Sequence, residues 1–162
     1  MAFHSIETWV VPQAIADSET TAKVKLGTVI RGEDPTYGIG EFIYLTGVAS
    51  TAVGSIVTYN ANHQTALATL AVTDASPLAV AMSANGAAAY GWYQIGGVAT
   101  AVKVSGTSFA AGAAIKVSAG VAEAAVSGLF MHGAAAAAAA SGQSALLTAT
   151  IMLDRPCGPG AT

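Results

Sequence analysis

The sequence predicts an all-β chain built as a single β-sandwich or barrel, and three observations carry that expectation. Short apolar runs rich in Val, Ile, Tyr and Phe recur along the chain, separated by Gly, Pro and Asn turn signals. The stretch Ala88 to Val104 sets Tyr90, Trp92 and Tyr93 within four residues, breaks at Gly96-Gly97 and resumes as Val98, Thr100, Val102 and Val104. That alternation around a Gly pair reads as two antiparallel strands joined by a tight turn, the centre of the domain. Thirdly, the run that most favours helix by propensity, the seven alanines of Ala134–Ala140, is shorter than the ~12 residues an isolated helix needs. It is expected to be a loop or one docked helical turn.

Taken in order, residues 1–23 combine Trp9, Val10 and Val11 with Pro12 and a polar stretch. Pro12 stops a continuing helix or central strand. The segment is expected to be an extended arm with a short strand near Thr8–Val11. A β domain then spans 24–155, and 156–162 form a flexible Gly/Pro tail. Val24–Ile30, Glu41–Leu45, Ser55–Tyr59 and Leu78–Met82 read as strands, and Arg31–Gly40 as a loop whose turn starts at Asp34-Pro35. Asn60–His63 and Asn85-Gly86 are turn signals, while Thr65–Val72 fits either state. Ala114–Val117 and Val121–Val126 form a second hairpin across Ser118–Gly120, and Ala145–Leu153 is the closing strand. Gly54-Ser-Ile-Val-Thr-Tyr59 and Gly112-Ala-Ala-Ile-Lys-Val117 place large residues at matching offsets from a Gly, and Gly-Val-Ala recurs at 47, 97 and 120. Either duplication or low complexity accounts for this pattern.

Charge is scarce and uneven. Of 162 residues, 53% are hydrophobic and 9% charged, against about 25% charged in ordinary domains. Residues 1–41 hold nine of the fifteen charges. The remainder must be covered by small polar residues or by other protein. The net charge of -3 leaves no basic patch for nucleic acid. No apolar run approaches the roughly 20 residues of a membrane span, and the N-terminus lacks a signal-peptide pattern. The single cysteine, Cys157, excludes an internal disulfide.

No catalytic set can be assembled, so an enzyme is not expected. Gly106-Thr-Ser-Phe-Ala-Ala111 resembles the nucleophile segment of subtilisin-like proteases, but the His and Asp motifs that chemistry needs are missing. His4, His63 and His132 are too scattered for a metal pair, and neither a cofactor nor a metal is expected. Tyr90, Trp92 and Tyr93 suit a core and interface better than a sugar-stacking platform. Trp92 and Tyr93 are adjacent, so in a strand they face opposite sides. One is expected to fill the core and the other to meet a partner.

Two stretches carry a family resemblance. Gly27-Thr-Val-Ile-Arg-Gly-Glu-Asp-Pro-Thr-Tyr-Gly-Ile-Gly-Glu-Phe-Ile-Tyr-Leu45, running on through Asn60, is one; Ala79–Asn85 leading into Tyr90-Gly-Trp-Tyr-Gln-Ile-Gly96 is the other. Together they resemble capsid decoration, or cement, proteins of tailed bacteriophages. The resemblance implies a jelly-roll-like or barrel protein on the outer surface of the virion, made in the bacterial cytoplasm. Its implied partners are the major capsid protein and its own copies, as a dimer or trimer, with no direct nucleic-acid or membrane contact. Phe3, Trp9, Arg31, Glu33, Asp34, Tyr37, Trp92 and Tyr93 are the expected contact residues. The alternative is a virion-surface or tail-associated module that grips a host glycan through Tyr90, Trp92 and Tyr93.

Overall fold

A computed structural model describes residues 4–5, 12–69, 71, 75–104, 108, 110–126, 128–138 and 147–159. The described chain is all β, without a helix. The strands are β1 His4–Ser5, β2 Ser18–Glu19, β3 Val29–Asp34, β4 Gly38–Thr46, β5 Ile56–Tyr59 and β6 Thr65–Leu67, followed by β7 Leu78–Ala81, β8 Tyr90–Val104, β9 Ile115–Ser118, β10 Val121–Ala124, β11 His132–Ala136 and β12 Leu147–Cys157.

The pairings close two rings. In the first, β4 pairs β8, β8 pairs β7, β7 pairs β5 and β5 pairs β6, all antiparallel. A parallel bridge from Thr46 to Gln64 then returns the chain at β6 to β4. In the second, the C-terminal half of β8 pairs β12, β12 pairs β11, Ala135 of β11 bridges Ala114 ahead of β9, and β9 pairs β10, again antiparallel. A parallel pairing of Ala122 with Val104 returns β10 to β8. Order and strand sense match step for step, so the rings are a structural duplication that shares β8.

The Gly54 and Gly112 segments are the repeat. Both glycines have positive φ, 80° and 77°. The Gly54 N–H donates to the Ala81 carbonyl and the Ala81 N–H returns to Ser55; the Gly112 N–H donates to Ala136 and the Ala136 N–H returns to Ala113. The three Gly-Val-Ala tripeptides occupy unrelated places: a loop after β4, the middle of β8, and the turn into β10.

Core residues follow from this shared wall. Ile43, Leu45, Val57, Ala79, Ala81, Tyr93 and Ile95 fill the first ring. Ala99, Val102, Ile115, Val117, Ala122, Ala136, Ala149, Ile151 and Leu153 gather in the second, together with Ile56, Leu78 and Val80 from the outer face of the first. All four residues of β7 are therefore buried, on both of its faces. A short continuous apolar run is the sequence mark of such a doubly covered strand.

Several expectations change. Ala88–Val104 is not a hairpin: β8 is one fifteen-residue strand. The register slips at Ile95, immediately before Gly96-Gly97, and there the strand changes neighbours. Glu41 of β4 and Asp154 of β12 are both partners of Gly96, while Glu41/Phe42 is a register break. Gly97 takes φ 86°, and a Cβ there would lie 2.5 Å from the Ile39 carbonyl oxygen. Arg31–Gly40 is a hairpin, not a loop, while Val24–Thr28 precede β3 without being strand. Ala134–Ala136 lie in β11, where ladder pairing and close packing override helix propensity. The strand β12 runs through Pro156 to Cys157, so the expected tail begins inside a strand. The hairpin β9–β10 is as expected; Ala119 (φ 48°) and Gly120 (φ 75°) form its two-residue turn, both left-handed as a type I′ turn requires.

The expected arm divides. Phe3, Trp9 and the Thr8–Val11 strand lie outside the described residues, as do Gly106, Thr107 and Phe109. Residues 12–23 are folded onto the first ring instead of reaching away. Gln13 and Ile15 are buried, and β2 pairs β8. The Gln13 amide donates to the carbonyls of Asp17 and Tyr90, both at 2.9 Å, while its side-chain oxygen accepts from the Tyr44 hydroxyl. The Trp92 indole N–H donates to the Gln13 carbonyl at 3.1 Å.

Gly97→Ala and Gly112→Ala separate two costs. Both force a side chain into left-handed backbone, but only Gly97 meets a neighbour, since nothing lies within 4 Å of a Cβ at Gly112. Denaturant titration should show a loss of about 1 kcal/mol for Gly112→Ala and about 2 kcal/mol or more for Gly97→Ala. Equal losses would contradict the close approach at Gly97.

Candidate interaction surfaces

The hairpin β3–β4 is built by its turn. Three residues, Pro35, Thr36 and Tyr37, join the paired Asp34 and Gly38. Pro35 suits the first turn position, and Gly38 takes φ 77° where such loops need a left-handed residue. The buried Asp34 carboxylate accepts from the Thr36 N–H at 2.8 Å and the Tyr37 N–H at 3.1 Å. Asp34 is thus a turn-capping group rather than a contact residue.

One face of this hairpin changes environment along its length. Ile43 and Leu45 point into the first ring, while Glu41 and Ile39, on the same side of β4, lie beyond the ring. Their cross-strand neighbours on β3 are Arg31 and Glu33. Ile39 is 54% exposed, Tyr37 44% and Val29 43%. Val29, Tyr37 and Ile39 are thus exposed apolar side chains on a hairpin that also carries Arg31 and Glu33, apolar and charged groups of the kinds found together at protein contacts.

Charge on this face is organised by Glu41. Its carboxylate accepts from Arg31 at 3.4 Å and from Arg155 of β12 at 2.9 Å. Between β4 and β12 lies Gly96, which has no side chain to stand in the way, and Arg155 takes φ 45°. Both guanidiniums are largely exposed, so each pair contributes only about 0–1 kcal/mol. The arrangement fixes where the charges sit more than it stabilises the fold.

The structure brings Arg31, Glu33, Asp34 and Tyr37 together on this one hairpin. Trp92 and Tyr93 are elsewhere and inaccessible. They face opposite sides of β8 as alternation requires, but both are 0% exposed. Trp92 packs with Phe42, Tyr44, Ile30 and Met82 beneath the N-terminal segment; its ring lies 4.9 Å from that of Tyr44. Tyr93 fills the first ring. Neither side chain is exposed, and a sugar-stacking platform of Tyr90, Trp92 and Tyr93 does not form. Val29 and Ile39 were not expected as contact residues; the signal for Ile39 was its place between Gly38 and Gly40 at the end of an alternating strand.

A second surface feature lies at the mouth of the first ring. A groove of about 540 Å³ is lined by Thr46, Thr58, Tyr59, Asn60, Gln64 and Thr65 among others. The loop 60–64 builds one wall. The Asn60 side-chain oxygen accepts from the N–H groups of Asn62 at 2.9 Å and Gln64 at 3.1 Å, and its amide donates to the Gln64 side-chain oxygen at 3.3 Å. His63, expected to be a solvated loop residue, is half-buried over Gly27 with φ 60°. Burial raises the Tyr59 hydroxyl pKa, opposed by the Arg155 charge nearby.

Comparisons with protein-family models, with curated proteins and with solved structures find no match to this chain.

Replacing Trp92 or Tyr93 by Ala should therefore destabilise alike, by about 3–5 kcal/mol each, because both empty a fully buried aromatic site. An exposed role for either would show as a loss under about 1 kcal/mol in thermal or urea unfolding. Alkaline pH tests the same burial. Burial raises the pKa of Tyr93, Tyr44 and Tyr59 above the ordinary 10.0. Above pH 10 the unfolded chain then binds fewer protons than the folded one, so stability falls as pH rises past that point, and not below it. Unfolding followed from pH 8 to 12 should show that onset, weakened in Tyr93→Phe.

Proposed function

We propose that this is a structural virion protein, which decorates the outer surface of a phage capsid and braces it through non-covalent contacts with the major capsid protein and with its own copies. The observation that carries the reading is the β3–β4 hairpin face. It sets Val29, Tyr37 and Ile39 in solvent beside Arg31 and Glu33, beyond the ring whose core it shares. The hairpin also lies within the stretch that carries the resemblance to decoration proteins. Exposed apolar groups of this kind cost solubility unless another surface covers them.

The rest of the chain supports such a use. The fold has few charges to keep a lattice of copies apart. Its two rings are joined by a shared strand rather than a linker, so a contact made by the hairpin is referred to the whole chain. The outer edge of β3 carries, among the described residues, only the two-residue β1 at Gly32 and Glu33. That edge can take further strand pairing from a neighbour, a mode in which main-chain bonds supply affinity.

Empty shells of the parent phage, stripped of this protein, provide the test. Added chain should co-sediment with them, and Ile39→Asp should lower occupancy about tenfold or more without changing the melting temperature. Val126→Asp, an exposed apolar position on the second ring, should leave occupancy unchanged. Failure of the chain to bind shells, or equal binding by Ile39→Asp, would overturn the reading.

A further inference from the structure

The two rings share a topology but differ at one loop. In the second ring, β9 turns into β10 through two residues, Ala119 and Gly120. In the first, the equivalent turn from β5 to β6 takes five, Asn60-Ala-Asn-His-Gln64. The short turn is spent on internal contact: the Gly120 N–H donates to the Ala68 carbonyl, and the Gly120 carbonyl accepts from Ile56. The long turn faces solvent and walls the groove of about 540 Å³. In repeated folds, an insertion confined to one unit commonly forms the binding face.

The chemistry of the groove is uniform. Among the described residues, the ten that line it include no formally charged side chain. They supply hydroxyls from Thr58, Tyr59 and Thr65 and amides from Asn60 and Gln64. The Asn60 amide gives one hydrogen to Gln64 and keeps a second. The Thr65 hydroxyl donates to the Thr46 carbonyl at 2.8 Å, so its oxygen remains an acceptor. Beside Thr65 of this floor lie two buried polar groups, the Tyr93 hydroxyl and the Asn85 amide, which face each other. Thr65 and Asn85 stand beside that hydroxyl, and Gly47 of the groove presses on Asn85. A cation would lose hydration here without a counter-charge among the described lining residues, an anion would meet only the Arg155 charge, felt at the Tyr59 hydroxyl but already paired with Glu41, and an apolar ligand would strand the amides. A ligand that both donates and accepts at closely spaced positions satisfies them, and the volume lies within the ~300–1,000 Å³ of small-molecule sites.

We infer that the groove between the Asn60–Gln64 loop and the end of β4 binds a neutral saccharide, with Tyr59 as its aromatic wall and Asn60 and Gln64 as its hydrogen-bonding edge. The site shares no residue with the hairpin face, so it stands whether or not the chain binds a shell. The full chain is to be applied to an array of neutral and acidic mono- to tetrasaccharides, and the strongest neutral ligand titrated by NMR. Binding should move the Asn60 and Gln64 side-chain amide resonances. Gln64→Ala should weaken it about tenfold or more with melting unchanged, since Gln64 is exposed. Tyr59→Phe, which keeps the ring, should weaken it less than Tyr59→Ala. Binding of no neutral saccharide at millimolar concentration, binding of acidic saccharides only, or equal binding by Gln64→Ala would each overturn the inference.

Discussion

Everything in this fold depends on β8 running unbroken past Gly96-Gly97. A strand has two edges, and β8 uses both twice. Its first half takes β4 on one side and β7 and β2 on the other; its second half takes β12 and β10. The exchange happens within two residues, where Gly96 admits Glu41 and Asp154 together and Gly97 bends the backbone through a conformation that suits glycine. A side chain at Gly97 would meet the Ile39 carbonyl, which belongs to the same β4 that closes the first ring. The steric constraint at one residue therefore holds the two rings in register.

Burial follows from that sharing. Strands that serve two cores have no solvent face, and β7 with the first half of β8 are covered on both sides. This is why Trp92 and Tyr93 can both be large. An ordinary sheet would send one of them to the surface; here the N-terminal segment, anchored by Gln13 among Tyr44, Tyr90 and Trp92, covers one side and the ring interior the other. Surface chemistry is displaced to the two places where the duplication is incomplete: the hairpin that overruns the first ring, and the loop that is longer in one repeat than in the other.

How far the sequence foretold this depends on whether the signal was local. The turns at Asp34-Pro35, Asn60–His63 and Ala119-Gly120 were legible because each rests on a few adjacent residues. The matching Gly54 and Gly112 segments were visible too, although composition alone left their meaning open. The Gly96-Gly97 pair was misread because a hairpin turn and a continuous strand that slips register and changes neighbours both call on glycine, and only the presence of β12 beyond β8 decides between them. The alanines of β11 failed for a similar cause: propensity favours helix, but pairing with β12 is a contact about twenty residues away. Of the contact residues, those on the hairpin were brought together, while Trp92 and Tyr93 were drawn to the interior by the very size that made them conspicuous.

The shared strand also sets how such a chain could grow and how it bears load. Gly54 and Gly112 stand 58 positions apart (112 minus 54), and each ring borrows one wall from its predecessor. A further ring would need four new strands, not five. No hinge separates successive units, because the joint is a β-strand hydrogen-bonded on both edges rather than a free linker. The hairpin at one place and the saccharide groove at another are thus fixed in mutual orientation, and a pull applied to either is carried as shear along the hydrogen-bond ladders of β8.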